Sequence, residues 1–107
     1  MIMHPRELAE KMARGQSPAV VDVRTGFEFR AGHIPGAIHA PIWKIMLLLA
    51  ALPADKRTEM VALCELGPRA VMARALLGLF GYRNVTLLTG HMAAWRRSGF
   101  PLEKPGR

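Results

Sequence analysis

The sequence predicts an α/β fold with a mostly parallel central sheet flanked by helices. Short apolar runs of strand length alternate with segments patterned at helical spacing, and Gly or Pro stands at most of the junctions between them. Parallel neighbours need crossover connections, and the helical segments lie where such crossovers belong. The chain has 107 residues, half of them hydrophobic, enough for one compact core, so residues 1–107 are read as a single domain.

Pro5 opens a first helix over Glu7 to Arg14, with Leu8 and Met12 on one face and Gly15 as its stop. Ala19-Val20-Val21 reads as a buried strand ending at Asp22-Val23-Arg24. Thr25 caps a short helical turn through Phe27, Glu28 and Phe29, and Gly32 to Gly36 forms a tight loop. Ala37-Ile38-His39 enters a second strand, and a helix is expected from about Ile42 to Leu52. Glu59 to Leu63 makes a central strand that ends at Cys64. Val71, Ala75, Leu76 and Leu79 give the following segment, Arg69 to Phe80, an apolar helical face closed by Gly81. Asn84 to Leu88 is the fourth strand, Thr89-Gly90-His91 a turn, and Met92 to Ser98 the last helix.

Lys and Arg outnumber Asp and Glu by 15 to 8, a formal charge of +7 that draws anions in general. The cations are scattered singly or in pairs such as Arg96-Arg97, with no basic helix or aromatic stripe, so specific nucleic-acid binding is not expected. A single cysteine excludes an internal disulfide and a cysteine-based metal cluster, which makes a reducing cytoplasm the expected location. The charged, amphipathic start of the chain does not read as a signal peptide. The apolar run Ile45 to Leu52 stops at Pro53, far short of the roughly 20 residues of a membrane span. It is read as core, the alternative being a helix whose outer face meets a partner chain.

The chemistry concentrates at Cys64-Glu65-Leu66-Gly67-Pro68-Arg69. A strand that ends in cysteine, then a glycine-containing loop and a helix, brings the sulfur to a helix N-terminus, where free N–H groups and the dipole favour an anion. The thiolate is such an anion, and Arg69 is placed to supply a cation. Gly67 lets the loop backbone turn inward. The spacing Cys-x4-Arg closes a smaller ring of amides than the Cys-x5-Arg loop of cysteine phosphatases, which disfavours a tetrahedral oxyanion and suits a terminal sulfur atom. The competing reading makes Cys64 a small buried hydrophobe.

With these residues the chain resembles the single-domain rhodanese family. Asp22-Val23-Arg24 with Glu28-Phe29, Gly32-His33-Ile34-Pro35-Gly36-Ala37, Cys64-x-x-Gly67-x-Arg69-Ala70 and Trp95-x-x-x-Gly99-x-Pro101-Leu102 look like the family's motifs in their usual order. The resemblance implies a three-layer rhodanese-like fold, no metal or organic cofactor, and a persulfide formed on Cys64. It implies a small sulfane-sulfur donor, thiosulfate or a persulfide, and a thiol or protein acceptor. Residues Glu65, Leu66, Gly67 and Pro68 would form the loop around the outer sulfur, with Arg69 offsetting negative charge. Arg24 is expected to pair with Glu28 or Asp22, and His33 to brace its loop by hydrogen bonding. His91 stands where the family commonly has a glycine. It is read as a solvent-facing turn residue, with assistance to proton transfer the alternative if it faces Cys64.

Two loop residues depart from a thiosulfate-using rhodanese. The Glu65 carboxylate disfavours thiolate and anionic donors if it points inward, unless it turns out or pairs with Arg69. Pro68 has no N–H and removes one donor from the loop. Both lead to an expectation of low thiosulfate activity. The rival function is a catalytically weak protein-interaction module of the same fold.

Overall fold

The computed structural model describes residues 2–104. Five strands, β1 (Ile2–Met3), β2 (Ala19–Asp22), β3 (Ile38–His39), β4 (Met60–Leu63) and β5 (Val85–Leu88), form one sheet in the order β1-β5-β4-β2-β3. Every pairing is parallel. The helices are α1 (Pro5–Ala13), α2 (Gly26–Ala31), α3 (Ile42–Met46), α4 (Pro68–Leu79) and α5 (His91–Arg97).

Alternation along the central strand sorts its side chains into two cores, as the two-residue repeat of a strand requires. Met60, Ala62 and Cys64 join Val21, Val23, Ile45, Ala70, Ala73 and Leu77 beneath α3 and α4. Val61 and Leu63 join Leu8, Ile34, Leu88, Met92 and Trp95 beneath α1 and α5. The sheet is thus the middle of three layers. Trp95, fully buried, donates its indole N–H to the Pro101 carbonyl at 2.8 Å and fastens the C-terminal segment to the second core.

The structure departs from the sequence expectation in two places. It adds β1, two residues long and too short to show a period, held by parallel pairing of Ile2 with Leu87 and Met3 with Leu88. It also ends the third helix at Met46 instead of Leu52. Leu48 takes a left-handed φ of 59°, its N–H meets the Ile45 carbonyl at 3.1 Å, and the Leu49 N–H meets that of Lys44 at 2.8 Å. This is the hydrogen-bond pattern of a Schellman stop. Leucine replaces the usual glycine, so no breaker marks the end in the sequence. The expected core assignment holds only in part: Ile45 is buried and Ala50 and Leu52 pack against the same core, but Met46, Leu47, Leu48 and Leu49 are each at least 60% exposed.

Candidate functional site

Parallel strands bring all their C-terminal ends to one side of the sheet, where α/β folds carry their sites. Asp22 lies opposite Leu63, and the Val23 N–H donates to the Leu63 carbonyl at 3.0 Å, so the segment after β2 runs beside the segment after β4. Asp22-Val23-Arg24 and Cys64-Glu65 are neighbours for that reason.

Cys64 follows β4 directly, is fully buried, and its Sγ accepts the Gly67 N–H at 3.0 Å. Gly67 precedes α4 with φ 137° and ψ −42°, a conformation open to glycine and strained for other residues. Pro68 occupies the first turn of α4, where a missing N–H leaves no helical bond unmade. Leu66 is exposed at the tip of the loop.

Arg69 gives Glu28 a two-point contact, Nη1 to Oε1 at 2.7 Å and Nη2 to Oε2 at 3.1 Å. Glu28 also closes a capping box on α2: its Oε1 accepts the Thr25 N–H at 2.9 Å, while Thr25 Oγ1 accepts the Glu28 N–H at 3.3 Å. The Arg69 hydrogen bonds come first among the causes that hold the Glu28 carboxyl at about 2. The same contact raises Arg69 above its ordinary value.

Of the two partners expected for Arg24, the structure selects Asp22. Arg24 Nη2 donates to Asp22 Oδ2 at 2.9 Å and to the Gly32 carbonyl at 2.7 Å, and Asp22 Oδ1 accepts the Arg24 N–H at 3.0 Å. Both side chains are buried. Arg24 Nη1 also stands 3.5 Å from Glu65 Oε1, and Arg96 of α5 pairs with the other Glu65 oxygen. Glu65 therefore turns away from Arg69 and joins Arg24 to Arg96. Sequence reasoning missed Arg96 as a partner, because the doublet Arg96-Arg97 carries no sign of which loop it faces.

His33 Nδ1 donates to the Phe29 carbonyl at 2.8 Å, and its ring stacks on Phe29 with centroids 3.7 Å apart. Its backbone exchanges two hydrogen bonds with Glu103 at 2.9 and 2.7 Å. His91 contradicts its expected place in solvent. It is only 7% exposed, and its Nδ1 accepts the Cys64 N–H at 3.2 Å. Burial lowers its pKa below the ordinary 6.5.

A family profile for the rhodanese-like domain matches residues 4–98. The chain belongs to that family. A sulfurtransferase from Allochromatium vinosum is 34% identical to this rhodanese-like chain over 98 residues, spanning 92% of it and 90% of the relative. An HTH-type transcriptional regulator from Mycobacterium tuberculosis is 38% identical over 100 residues, spanning 90% of this chain but 43% of that protein. The crystal structure of a rhodanese-like domain protein from Staphylococcus aureus superimposes with a TM-score of 0.82 at 27% identity, covering 99% of this chain and all of the other. Among the described residues, no helix is long and apolar enough to cross a membrane.

Proposed function

We propose that this rhodanese-like domain carries sulfane sulfur as a persulfide on Cys64. Family membership and the sulfurtransferase relative support sulfur transfer in general terms. The observation that carries the finer reading is the Gly67 N–H aimed at Cys64 Sγ from the start of α4, an arrangement that favours negative charge on sulfur. The Cys64 thiolate attacks the outer sulfur of the donor, the donor S–S bond breaks, and sulfite or a thiolate leaves. An acceptor such as cyanide or a thiolate then takes that sulfur and returns Cys64 to the thiolate. Mass spectrometry after donor treatment should show one added sulfur atom on the wild type and none on Cys64→Ser; an unmodified wild type with every donor sinks the reading.

The donor we propose is a small or protein-bound persulfide carrying little negative charge, with thiosulfate used slowly. The charges around the loop support this: Arg69 is committed to Glu28, and Arg24 and Arg96 share Glu65. No amide is available at Pro68 to add anion affinity. A cyanide-coupled assay should give a lower kcat/KM with thiosulfate than with a thiol persulfide, and Glu65→Gln should narrow the gap. Equal, rapid use of both donors, unmoved by Glu65→Gln, contradicts it.

The complete burial of Cys64 and the exposed apolar run Met46 to Leu49 favour a second reading, a non-catalytic docking module. Alkylation separates the two. A thiol reached by loop opening reacts under conditions where the protein stays folded, whereas a structural thiol reacts only as fast as the chain unfolds.

A further inference from the structure

His91 occupies a position of backbone strain that its side chain explains. Its φ of 55° is left-handed, a conformation that side chains other than glycine adopt only against strain. The first turn of α5 takes hold of the Cys64 peptide from both ends. His91 Nδ1 accepts the Cys64 N–H at 3.2 Å, the Met92 N–H donates to the Cys64 carbonyl at 3.0 Å, and the Ala93 N–H donates to the Glu65 carbonyl at 3.3 Å. The ring also backs the loop. A Cβ on Gly67 would come within 3.2 Å of His91 Nε2.

These contacts fix the chemistry of the imidazole. Accepting from an amide requires a lone pair on Nδ1, so the ring is neutral and its proton is on Nε2. A nitrogen already occupied by the Cys64 N–H is not free to take a proton from the thiol. The Cys64 side chain belongs to the core beneath α3 and α4, whereas α5 packs on the opposite face, so His91 approaches the cysteine from behind its backbone.

We propose that His91 is a positioning residue: in its neutral form it locks the Cys64 peptide so that Sγ stays under the Gly67 N–H, and its protonation releases the loop. The proposal rests on the sulfur-transfer reading only for the rate it affects. An imidazolium would set one N–H against another, and the Cys64 amide would lose its partner. The ionisable side chains of the loop packed against the imidazole are the Cys64 thiol, which belongs to the core on the other face of the sheet, and the Glu65 carboxylate, which is paired with arginines. On its own helix Arg96 is neutralised by Glu65, which Arg24 also approaches. The downward shift of the His91 pKa by burial agrees with a ring held neutral.

The test compares wild type, His91→Asn and His91→Leu by the rate of sulfur loading from glutathione persulfide and by alkylation with iodoacetamide, each followed by mass across pH. Asparagine tolerates the left-handed conformation, offers an oxygen near the place of Nδ1, and does not titrate. His91→Leu should slow loading by about tenfold, the size of one lost hydrogen bond to a buried amide. His91→Asn should recover most of that loss and lack the acid limb that the wild type shows below the ordinary histidine pKa. Loading by His91→Leu at the wild-type rate, or an identical acid limb in His91→Asn, overturns the proposal. The tautomer is read independently by long-range proton–nitrogen NMR of the wild type at neutral pH: Nε2–H supports the lock, while Nδ1–H or an imidazolium overturns it. If no donor loads any variant, sulfur transfer fails as a function while the NMR and alkylation results still decide the role of His91.

Discussion

Arg69 and Glu28 join the N-termini of α4 and α2 through two hydrogen bonds of 2.7 and 3.1 Å. The same carboxylate caps α2, so one side chain sets the start of a helix and occupies the cation of the Cys64 loop. An anionic donor approaching Cys64 therefore meets an arginine already paired at bidentate distance, the stronger form of such contacts.

Replacing Glu28 with Gln should change donor choice. Glutamine still accepts from the Thr25 N–H, so the cap survives, but Arg69 loses its ionic partner. The KM for thiosulfate should fall several-fold at low ionic strength, and the gain should shrink in high salt as screening shortens the reach of the charge. Steady-state assays at two salt concentrations check this; a salt-independent KM equal to that of the wild type contradicts it.

Stability should decline in two stages as the solution is acidified. Burial lowers the His91 pKa, so the unfolded chain takes up this proton first and stability drops as pH falls below about 6.5 towards the folded-state value. Glu28 has a folded pKa of about 2 against an ordinary 4.5, so its contribution is complete above 4.5 and is lost as pH falls towards 2. Urea midpoints measured from neutral to acid pH should show both stages. The upper one should vanish in His91→Asn and the lower one in Glu28→Gln.

The Asp22–Arg24 pair is buried on both sides, which makes removal of either partner expensive. Asp22→Ala should destabilise the fold by about 3 kcal/mol, because Arg24 keeps its charge without its closest carboxylate. Removing both charges with apolar replacements should recover much of that loss. Urea denaturation of the single and double variants gives the comparison.

Gly67→Ala should harm chemistry more than stability. The backbone strain at φ 137° and the contact with His91 destabilise the fold by about 1–3 kcal/mol. The displaced Gly67 N–H also withdraws the donor to Cys64 Sγ. Sulfur loading measured on the folded fraction should fall even where urea shows the variant to be intact.

The parts of the fold visible in sequence are those governed by local pattern. The apolar run around Val61, the stop at Gly15, the Thr25 cap and the cysteine at the end of a strand are readable from neighbours a few residues away. Two elements escaped for physical reasons. β1 exists only because β5 is beside it, and α3 stops at a left-handed leucine whose sequence context reads as uninterrupted helix. At the site, the residue types were legible but their partners were not. Glu65 turned to Arg96, which lies 31 positions away, and His91 reached Cys64 across 27. Such pairings are set by how α5 lies on the sheet, and no short-range period encodes that.

An all-parallel sheet also governs how the molecule comes into being. With no hairpin in it, every strand waits for a distant partner, and the edge pairing brings residue 2 to residue 87. Such non-local contacts slow folding. As the chain leaves the ribosome, β2 and β4 can pair before β5 emerges, but the β1 edge stays open until the last strand is made. The first turn of α5, which grips the Cys64 backbone, is synthesised later still, so that peptide lacks its two α5 partners until β5 has been made.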